Sequence, residues 1–479
     1  MPEDQGMLDT LGNAIRLARL AATTIRALSL RGDSVLQDKD ASMHRSHLAA
    51  NCRRAAPLCA LFAAGLAALS VGSAHAEDAA LLQAREILAR HPLIDTHNDL
   101  PYVIRETGNP PRDVEAFDLR RPAAGDTDIA RLRAGGVGGQ FWSVYIPSTA
   151  EAGKRGFARA QLEQIDIALR MIERYPDVFS LALTAHDVER AASTGRIASL
   201  LGIEGGHAIE NSLGALRVYW RLGVRYMTLT HFDGNDWADS ATAPARHGGL
   251  SKFGVEVVRE MNRLGMLVDL SHVSEDTMND ALDVAEAPVL FSHSNARALS
   301  STPRNVPDAV LSRLPRNGGV VMLSFISLFA VQGEEHARWQ ADFEQETGVK
   351  LGDAAYDAAH AKYAAAHPEP RATIADVADH VEHVRDVAGI GHVGIGADFY
   401  GEPKDMVAGL EDVSAYPALF AELIRRGWME EDLAKLARDN VLRVLRGAEQ
   451  AAARIQRARQ PSYATIEQLD GGKALPDRY

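Results

Sequence analysis

From about residue 91 onward, short apolar runs alternate with longer segments in which apolar side chains recur every three or four residues. The runs at 93–96, 137–146, 198–203, 225–230, 266–270, 288–292, 319–325 and 392–397 are rich in Val, Ile and Leu and lack a clean apolar–polar alternation. Strands buried on both faces read this way, as in a parallel sheet. Between them, 157–175 carries Leu162, Ile165, Ala168, Leu169 and Ile172 at the spacing of an amphipathic helix. The segments 252–264 and 275–285 repeat that spacing, and Ser251 and Ser274 stand where helix N-caps belong. Strand–helix alternation repeated eight times predicts a closed α/β barrel of the (β/α)₈ kind. A doubly wound open sheet is the alternative and normally uses fewer strands.

Three segments fall outside the repeat. Residues 326–370 follow the seventh strand and contain an Ala-rich helical stretch, 354–366, broken by Pro368 and Pro370. Insertions at the C-terminal end of barrel strands build the active-site face, so this one reads as a lid or subsite wall, with an inert surface excursion as the alternative. The chain turns polar after Gly447, and 451–479 is expected to be a tail that wraps the barrel at 77–450. At the other end, Met43 opens a basic stretch with Arg45, Arg53 and Arg54. The apolar run AAPLCALFAAGLAALSV and then Ala74-His75-Ala76 follow it. A basic, then apolar, then small-residue series is the pattern of a secretory signal, 43–76, with cleavage before Glu77. At 17 residues the apolar run is short of the ~20 that a spanning helix needs. Because a signal begins where synthesis begins, Met43 is the expected start and 1–42 an upstream extension. The expected location is periplasmic or secreted, with no stable membrane span after cleavage.

Composition changes this picture little. Of 479 residues, 46% are hydrophobic and 24% charged, ordinary for a folded protein. The net charge of −13 argues against nucleic acid or an anionic membrane surface as the main partner. Both cysteines, Cys52 and Cys59, lie in the signal, so the exported chain must be stable without disulfides. A homodimer remains open.

The positions of the polar residues are more informative. His97 and Asp99 follow the first strand, and in extended chain i and i+2 point the same way. Glu204 ends the third strand before Gly205-Gly206, His231 the fourth, His272 the fifth, His293 the sixth and Asp398 the eighth. Seven candidate ligands or acid–base groups thus gather at one end of six strands, the end where barrel active sites are built. A lone histidine after an apolar strand is usually structural; the joint pattern is not explained that way. A His/Asp/Glu set without sulfur suits zinc, and manganese or cobalt less specifically. One carboxylate able to bridge, between two pairs of ligands, points to a two-metal site.

The motifs LIDTHNDLP (93–101), GIEGGHA (202–208), YMTLTH (226–231), VDLSHV (268–273), LFSHSNARALSSTPRNVP (290–307) and HVGIGADF (392–399) carry a family resemblance. In that order and spacing, over roughly 83–450, the chain resembles the renal-type (membrane) dipeptidases and looks like a zinc-dependent, bacterial member. The resemblance implies two Zn²⁺ per chain and the hydrolysis of dipeptides by a metal-bridging hydroxide. By the same resemblance, His97 and Asp99 match the ligands of one zinc, His272 and His293 those of the second, and Glu204 the bridging carboxylate. His231 matches the histidine that meets the scissile carbonyl oxygen, and Arg304 the arginine that holds the substrate carboxylate. Asp398 matches the aspartate facing the bridging water and the substrate amine. One departure stands at Tyr400: the family commonly shows Asp-Phe-Asp-Gly where this chain has Asp398-Phe399-Tyr400-Gly401. Tyr400 is expected either to contact the substrate's amino end or to pack beside the barrel mouth. Phe232 and Trp237 are read as pocket lining or as loop packing. His207 is read as support for the Glu204 loop, and Asp233, Asp236 and Asp239 as loop caps or supporting partners. Other binuclear amidohydrolases, including β-lactam hydrolases, often carry His-x-His at the first strand and a modified lysine as bridge; His97-Asn98-Asp99 and Glu204 disfavour them. A non-enzymatic binding protein is disfavoured by the full set of acid, oxyanion and metal residues.

Overall fold

The computed structural model describes residues 78–107, 112–123, 125–148, 156–331, 335–349 and 355–471. The upstream extension, the signal segment and its boundary at Ala76/Glu77 lie outside the described residues. Among those residues no helix is long and apolar enough to cross a membrane.

The predicted barrel is present. Its strands are β1 (Leu93–Asn98), β2 (Val137–Ser143), β3 (Ile197–Glu204), β4 (Val224–Thr228), β5 (Leu267–Asp269), β6 (Leu290–Phe291), β7 (Val320–Leu323) and β8 (Val393–Ile395). All pair in parallel in the order β2-β1-β8-β7-β6-β5-β4-β3, and a β2–β3 ladder, Gly139↔Ala198 to Ser143↔Gly202, closes the ring. One further short strand, Phe179–Leu181, pairs with the start of β3 and was not legible as an apolar run.

Strand residues divide alternately between two apolar clusters. Ile94, Leu200, Tyr226, Val320 and Met322 belong to one, and Leu93, Leu201, Met227, Val321 and Leu323 to the other. Both strand faces are dry, which is why the sequence shows continuous Val/Ile/Leu runs and not a two-residue rhythm. Gly202 is required here: a Cβ at this position would lie 2.0 Å from the Tyr226 ring. Its absence lets that ring lie flat against β3.

The helices form where their spacing predicts. Lys252–Leu264 and Glu275–Val284 start at Ser251 and Ser274, whose hydroxyls accept from the amides of Gly254 and Thr277 at 3.2 Å each. Phe157–Arg174 also forms, but Leu162, expected on its inner face, is 46% exposed. Gln161 and Gln164 turn inward instead, Gln161 donating to the Val144 carbonyl at 2.9 Å. The boundary expected at residue 450 falls inside one helix, Asn440–Ala458, which buries Ala448, Ala451, Ala452 and Ile455. After it comes Ile466–Asp470.

The described residues from 80 onward divide into two compact units, 80–339 with 369–471, and those within 340–368. In the smaller unit the predicted Ala-rich helix is Tyr356–Ala366. Tyr363 and His360 from that helix stand 5.4 and 5.8 Å from the Phe343 ring.

Candidate metal centre and active site

In β4, β5, β6 and β8 the ladder hydrogen bonds stop before the polar residue that the sequence placed at the strand end. His231, His272, His293 and Asp398 therefore stand two or three residues beyond β4, β5, β6 and β8, on the turns. His97 lies in β1 and Glu204 closes β3. Two turns need unusual backbone: His272 has φ 66° and Asp398 φ 70°, left-handed values rare outside glycine. Each is held in place. The His272 carbonyl accepts from the Ala241 amide at 2.8 Å, and the Asp398 amide donates to the His97 carbonyl at 3.2 Å.

The side chains converge on Glu204. Its Oε1 lies 2.9 Å from His272 Nε2 and 3.2 Å from His293 Nε2, while its Oε2 lies 3.5 Å from His97 Nε2. His97 Nε2 is also 3.3 Å from Asp99 and 3.7 Å from Asp398. His231 Nε2 is 3.7 Å from Glu204 Oε1. The five expected ligands thus form two overlapping groups, His97–Asp99–Glu204 and Glu204–His272–His293, of the kind that can hold a metal ion. All five are buried.

This set fits divalent metal on its own geometry. Three carboxylates share a dry pocket, and neither His97 Nε2 nor Asp99 Oδ1 has a hydrogen-bond partner. Buried polar atoms are rarely left unpaired. His272 Nε2 and His293 Nε2 face each other at 2.9 Å; with the proton of each ring on Nδ1, both lone pairs point into the site, where a cation can take them. Burial opposes ionisation of Glu204, but His97 and His231 outweigh it and hold the carboxyl well below its ordinary range. Burial, aided by the Arg304 charge, keeps His272 well below the usual imidazole value. Burial and the neighbouring His97 do the same for His293. At these three residues, neutral imidazole and ionised carboxylate are the forms that bind metal. At His97 burial is outweighed by the Tyr226, Glu204 and Asp99 charges, which raise the imidazole well above its usual value, so an ion there would displace a proton. Asp398 behaves oppositely: burial first, then Asp99 and Glu204, push it well above the carboxylate range despite His97. A carboxyl with a raised pKa is suited to accept and return a proton near neutrality.

A supporting layer, absent from the sequence reading, fixes the ring orientations. His97 Nδ1 is 2.9 Å from the Tyr226 hydroxyl, and His293 Nδ1 is 2.8 Å from Ser292 Oγ. Ser292 Oγ donates at 2.6 Å to Asp269, whose carboxylate also takes the Thr228 hydroxyl and the Ser292 amide. With Ser292 donating to Asp269, its oxygen accepts from His293 Nδ1–H, which leaves the Nε2 lone pair aimed into the site. Asp95 accepts the amides of His97 and Ala397 at 2.9 and 3.1 Å and the Tyr416 hydroxyl. It thereby ties β1 to the turn after β8, and burial raises its pKa to about 6. Asp95 and Asp269 were visible as charged residues inside apolar strands, each two or three positions before a ligand histidine.

Arg304, on the long turn after β6, is 2% exposed, and none of its three guanidinium nitrogens has a hydrogen-bond partner among the described residues. The guanidinium lies 5.0 Å from the Phe329 ring centroid. Burial draws its pKa down to about 10, so it remains charged at neutral pH. Tyr400 directs its hydroxyl to Asp405 at 2.6 Å and packs, half-buried, against the core. His207 Nε2 is 3.1 Å from the Ile146 carbonyl, bracing the turn after Glu204, and Asp239 caps its loop by accepting the amides of residues 246–249. Asp233 and Asp236 accept from Ser148 and Asn211. Trp237 is fully buried, whereas Phe232 stays 53% exposed beside the histidines. Tyr145, 4.8 Å from the His231 ring, is a wall residue that no motif announced.

The family model for membrane dipeptidases, peptidase family M19, matches residues 81–459. The chain belongs to this family. It is 42% identical over 385 residues to the dipeptidase verJ of Clonostachys rogersoniana, spanning 78% of this chain and 89% of the relative. Among solved structures, the probable dipeptidase PvdM from Pseudomonas aeruginosa superposes with a TM-score of 0.68 at 24% identity, covering 78% of this chain and 99% of that one. A metallopeptidase from Rhodobacter sphaeroides, liganded with a phosphinate mimic of L-Ala-D-Ala, gives 0.59 at 24% identity, covering 74% and 99%. The M19 chain is a peptide-bond hydrolase on a (β/α)₈ barrel, and its family is one of metal-dependent peptidases.

Proposed function

We propose that this M19 protein is a zinc-dependent dipeptidase that uses two ions per chain. The observation that carries the reading is the division of imidazoles between the two oxygens of Glu204: His272 and His293 on Oε1, His97 on Oε2. A carboxylate so flanked could serve two cation positions, which His97 and Asp99 on one side and His272 and His293 on the other would complete. Four His/carboxylate donors plus one shared carboxylate, without sulfur, favour zinc.

When bound, the ions supply Lewis acidity, lowering the pKa of a shared water and polarising the scissile carbonyl. The residues of the chain do the rest. His231 is held neutral by burial, and its imidazole N–H can donate to the carbonyl oxygen as negative charge develops there. Asp398 accepts the proton of the attacking water at its carboxylate and returns it to the leaving amine. Arg304 pairs with the free C-terminal carboxylate, which limits substrates to short peptides. The dipeptide mimic bound by the Rhodobacter relative supports the same substrate class here.

Elemental analysis of zinc-loaded protein, with turnover of an unblocked dipeptide, tests the reading. Two zinc per chain and dipeptide cleavage are expected. One ion or none, or no cleavage of any free dipeptide, overturns it.

A further inference from the structure

Phe232 follows His231 directly and is 53% exposed, while Trp237 five residues on is fully buried. A single exposed apolar residue is ordinary. What distinguishes Phe232 is where the ring is held. Its centroid lies 4.2 Å from the His231 ring and 5.3 Å from the His272 ring, edge-on to both. Nor is the backbone slack, since the Phe232 carbonyl accepts from Thr242 Oγ1 at 2.7 Å. A rigid phenyl therefore borders the space around two imidazoles of the centre and keeps half its surface bare.

The side of the centre that it borders follows from its neighbours. His272 meets His293 at 2.9 Å, and the turn that carries His293 runs on to Arg304. On the dipeptidase reading, Arg304 holds the carboxylate of the C-terminal residue, and the same α-carbon bears that residue's side chain. The other aromatic pair runs from His231, 4.8 Å from the Tyr145 ring, to the His97 branch: Tyr145 packs on Tyr102 at 4.9 Å, and the Tyr102 amide donates to the Asp99 carbonyl. We infer that Phe232 is the wall against which the side chain of the dipeptide's C-terminal residue packs, giving a preference for apolar and aromatic residues there. This inference rests on the proposed dipeptidase activity and adds a specificity-determining residue to it.

The test measures kcat/KM of zinc-loaded protein for Ala-Gly, Ala-Phe and Leu-Gly, in wild type, Phe232→Ala and Phe232→Leu. Wild type is expected to favour Ala-Phe over Ala-Gly. That ratio should fall roughly tenfold or more in Phe232→Ala, mainly through KM, and be largely kept in Phe232→Leu. The Leu-Gly to Ala-Gly ratio should be the same in all three proteins. Calorimetric affinities for phosphinate mimics with Phe or Gly at the C-terminal position should shift in parallel, without turnover. An Ala-Phe to Ala-Gly ratio unmoved by Phe232→Ala overturns the inference, as does a loss that falls on Leu-Gly instead. In both cases cleavage of Ala-Gly by wild type leaves the dipeptidase reading standing. A wild type that cleaves none of the three removes both.

Discussion

Arg304 offers the sharpest test of how the substrate is anchored. A buried guanidinium is costly unless its donors are paired, yet none of its three nitrogens has a partner among the described residues. The carboxylates whose charges act on it, Asp398, Glu204 and Asp269, make no hydrogen bond to it. The charge is therefore held for something that arrives. A planar fork meeting a carboxylate forms two charge-assisted hydrogen bonds, and replacing that carboxylate by a neutral amide should cost about 2–4 kcal/mol. At 1.4 kcal/mol per decade this predicts that a dipeptide amide reacts roughly 30- to 1000-fold more slowly than the free acid. Arg304→Ala should lose most of that selectivity while keeping its zinc, and Arg304→Lys should recover only part, because an ammonium cannot reproduce the fork. Thermal stability gives an independent reading. Removing an unpaired buried charge should leave the melting temperature level or higher, whereas breaking a structural ion pair would lower it. The assay is kcat/KM for acid and amide on each protein, with calorimetric melting alongside. Equal acid-over-amide selectivity in wild type and Arg304→Ala would refute the anchor.

Three further outcomes follow from the same geometry. Glu204→Gln should abolish turnover and lose at least one of two zinc ions on elemental analysis, with an unchanged circular dichroism spectrum; retention of both ions counts against the bridge. Ser292→Ala frees His293 to rotate and should weaken zinc affinity by about 10- to 100-fold in a competition titration, and a zinc affinity equal to wild type sinks the orienting role. His380 is buried, its Nδ1 accepting from the Ala296 amide and its Nε2 at 3.2 Å from the Ala330 carbonyl, and burial lowers its pKa from 6.5 to about 4. Between those values the unfolded chain binds a proton that the folded one does not, so stability is lost as pH falls from 6.5 toward 4, by on the order of 3 kcal/mol at the acid end. His380→Gln should flatten that part of the melting profile, measured against wild type between pH 7 and 4.5; the same slope in both proteins would assign it elsewhere.

The barrel and its catalytic end were legible for one physical reason. A strand dry on both faces must be a run of Val, Ile and Leu, so a His, Asp or Glu that ends the run marks the rim. The supporting layer was not legible by that rule. Tyr226 and Ser292 look like ordinary strand residues, and only three-dimensional pairing shows the Tyr226 hydroxyl at His97 and the Ser292 hydroxyl between Asp269 and His293. Phe179–Leu181 escaped because three residues carry no periodicity. Leu162 misled because two glutamines with partners inside the fold took the buried face of its helix. Tyr400 differs in kind. The departure from the family motif was visible in the sequence, but its consequence depended on Asp405, which captures the phenol.

The strained backbone at His272 and Asp398 shows how the fold is biased toward its chemistry. A left-handed non-glycine residue costs about 1–3 kcal/mol and persists only when its surroundings over-determine it. Glycine at either position would remove the strain and also remove the side chain. At both turns the surroundings are hydrogen bonds that lead back to other site residues. The His272 carbonyl takes the Ala241 amide and the Thr230 hydroxyl, and Ser240 Oγ, 3.3 Å from that carbonyl, has the His231 carbonyl as its nearest acceptor at 2.7 Å. The Asp398 amide reaches the His97 carbonyl, and the Asp99 amide reaches the Phe399 carbonyl beside it. The turn that aims His272 therefore also positions His231, and the turn that aims Asp398 also positions His97 and Asp99. Loosening one turn, for example by Ser240→Ala, should then disturb groups on two strands together, weakening zinc affinity and oxyanion stabilisation in the same variant. A Ser240→Ala protein with lower kcat but wild-type zinc affinity, or the reverse, would show that the two turns act separately.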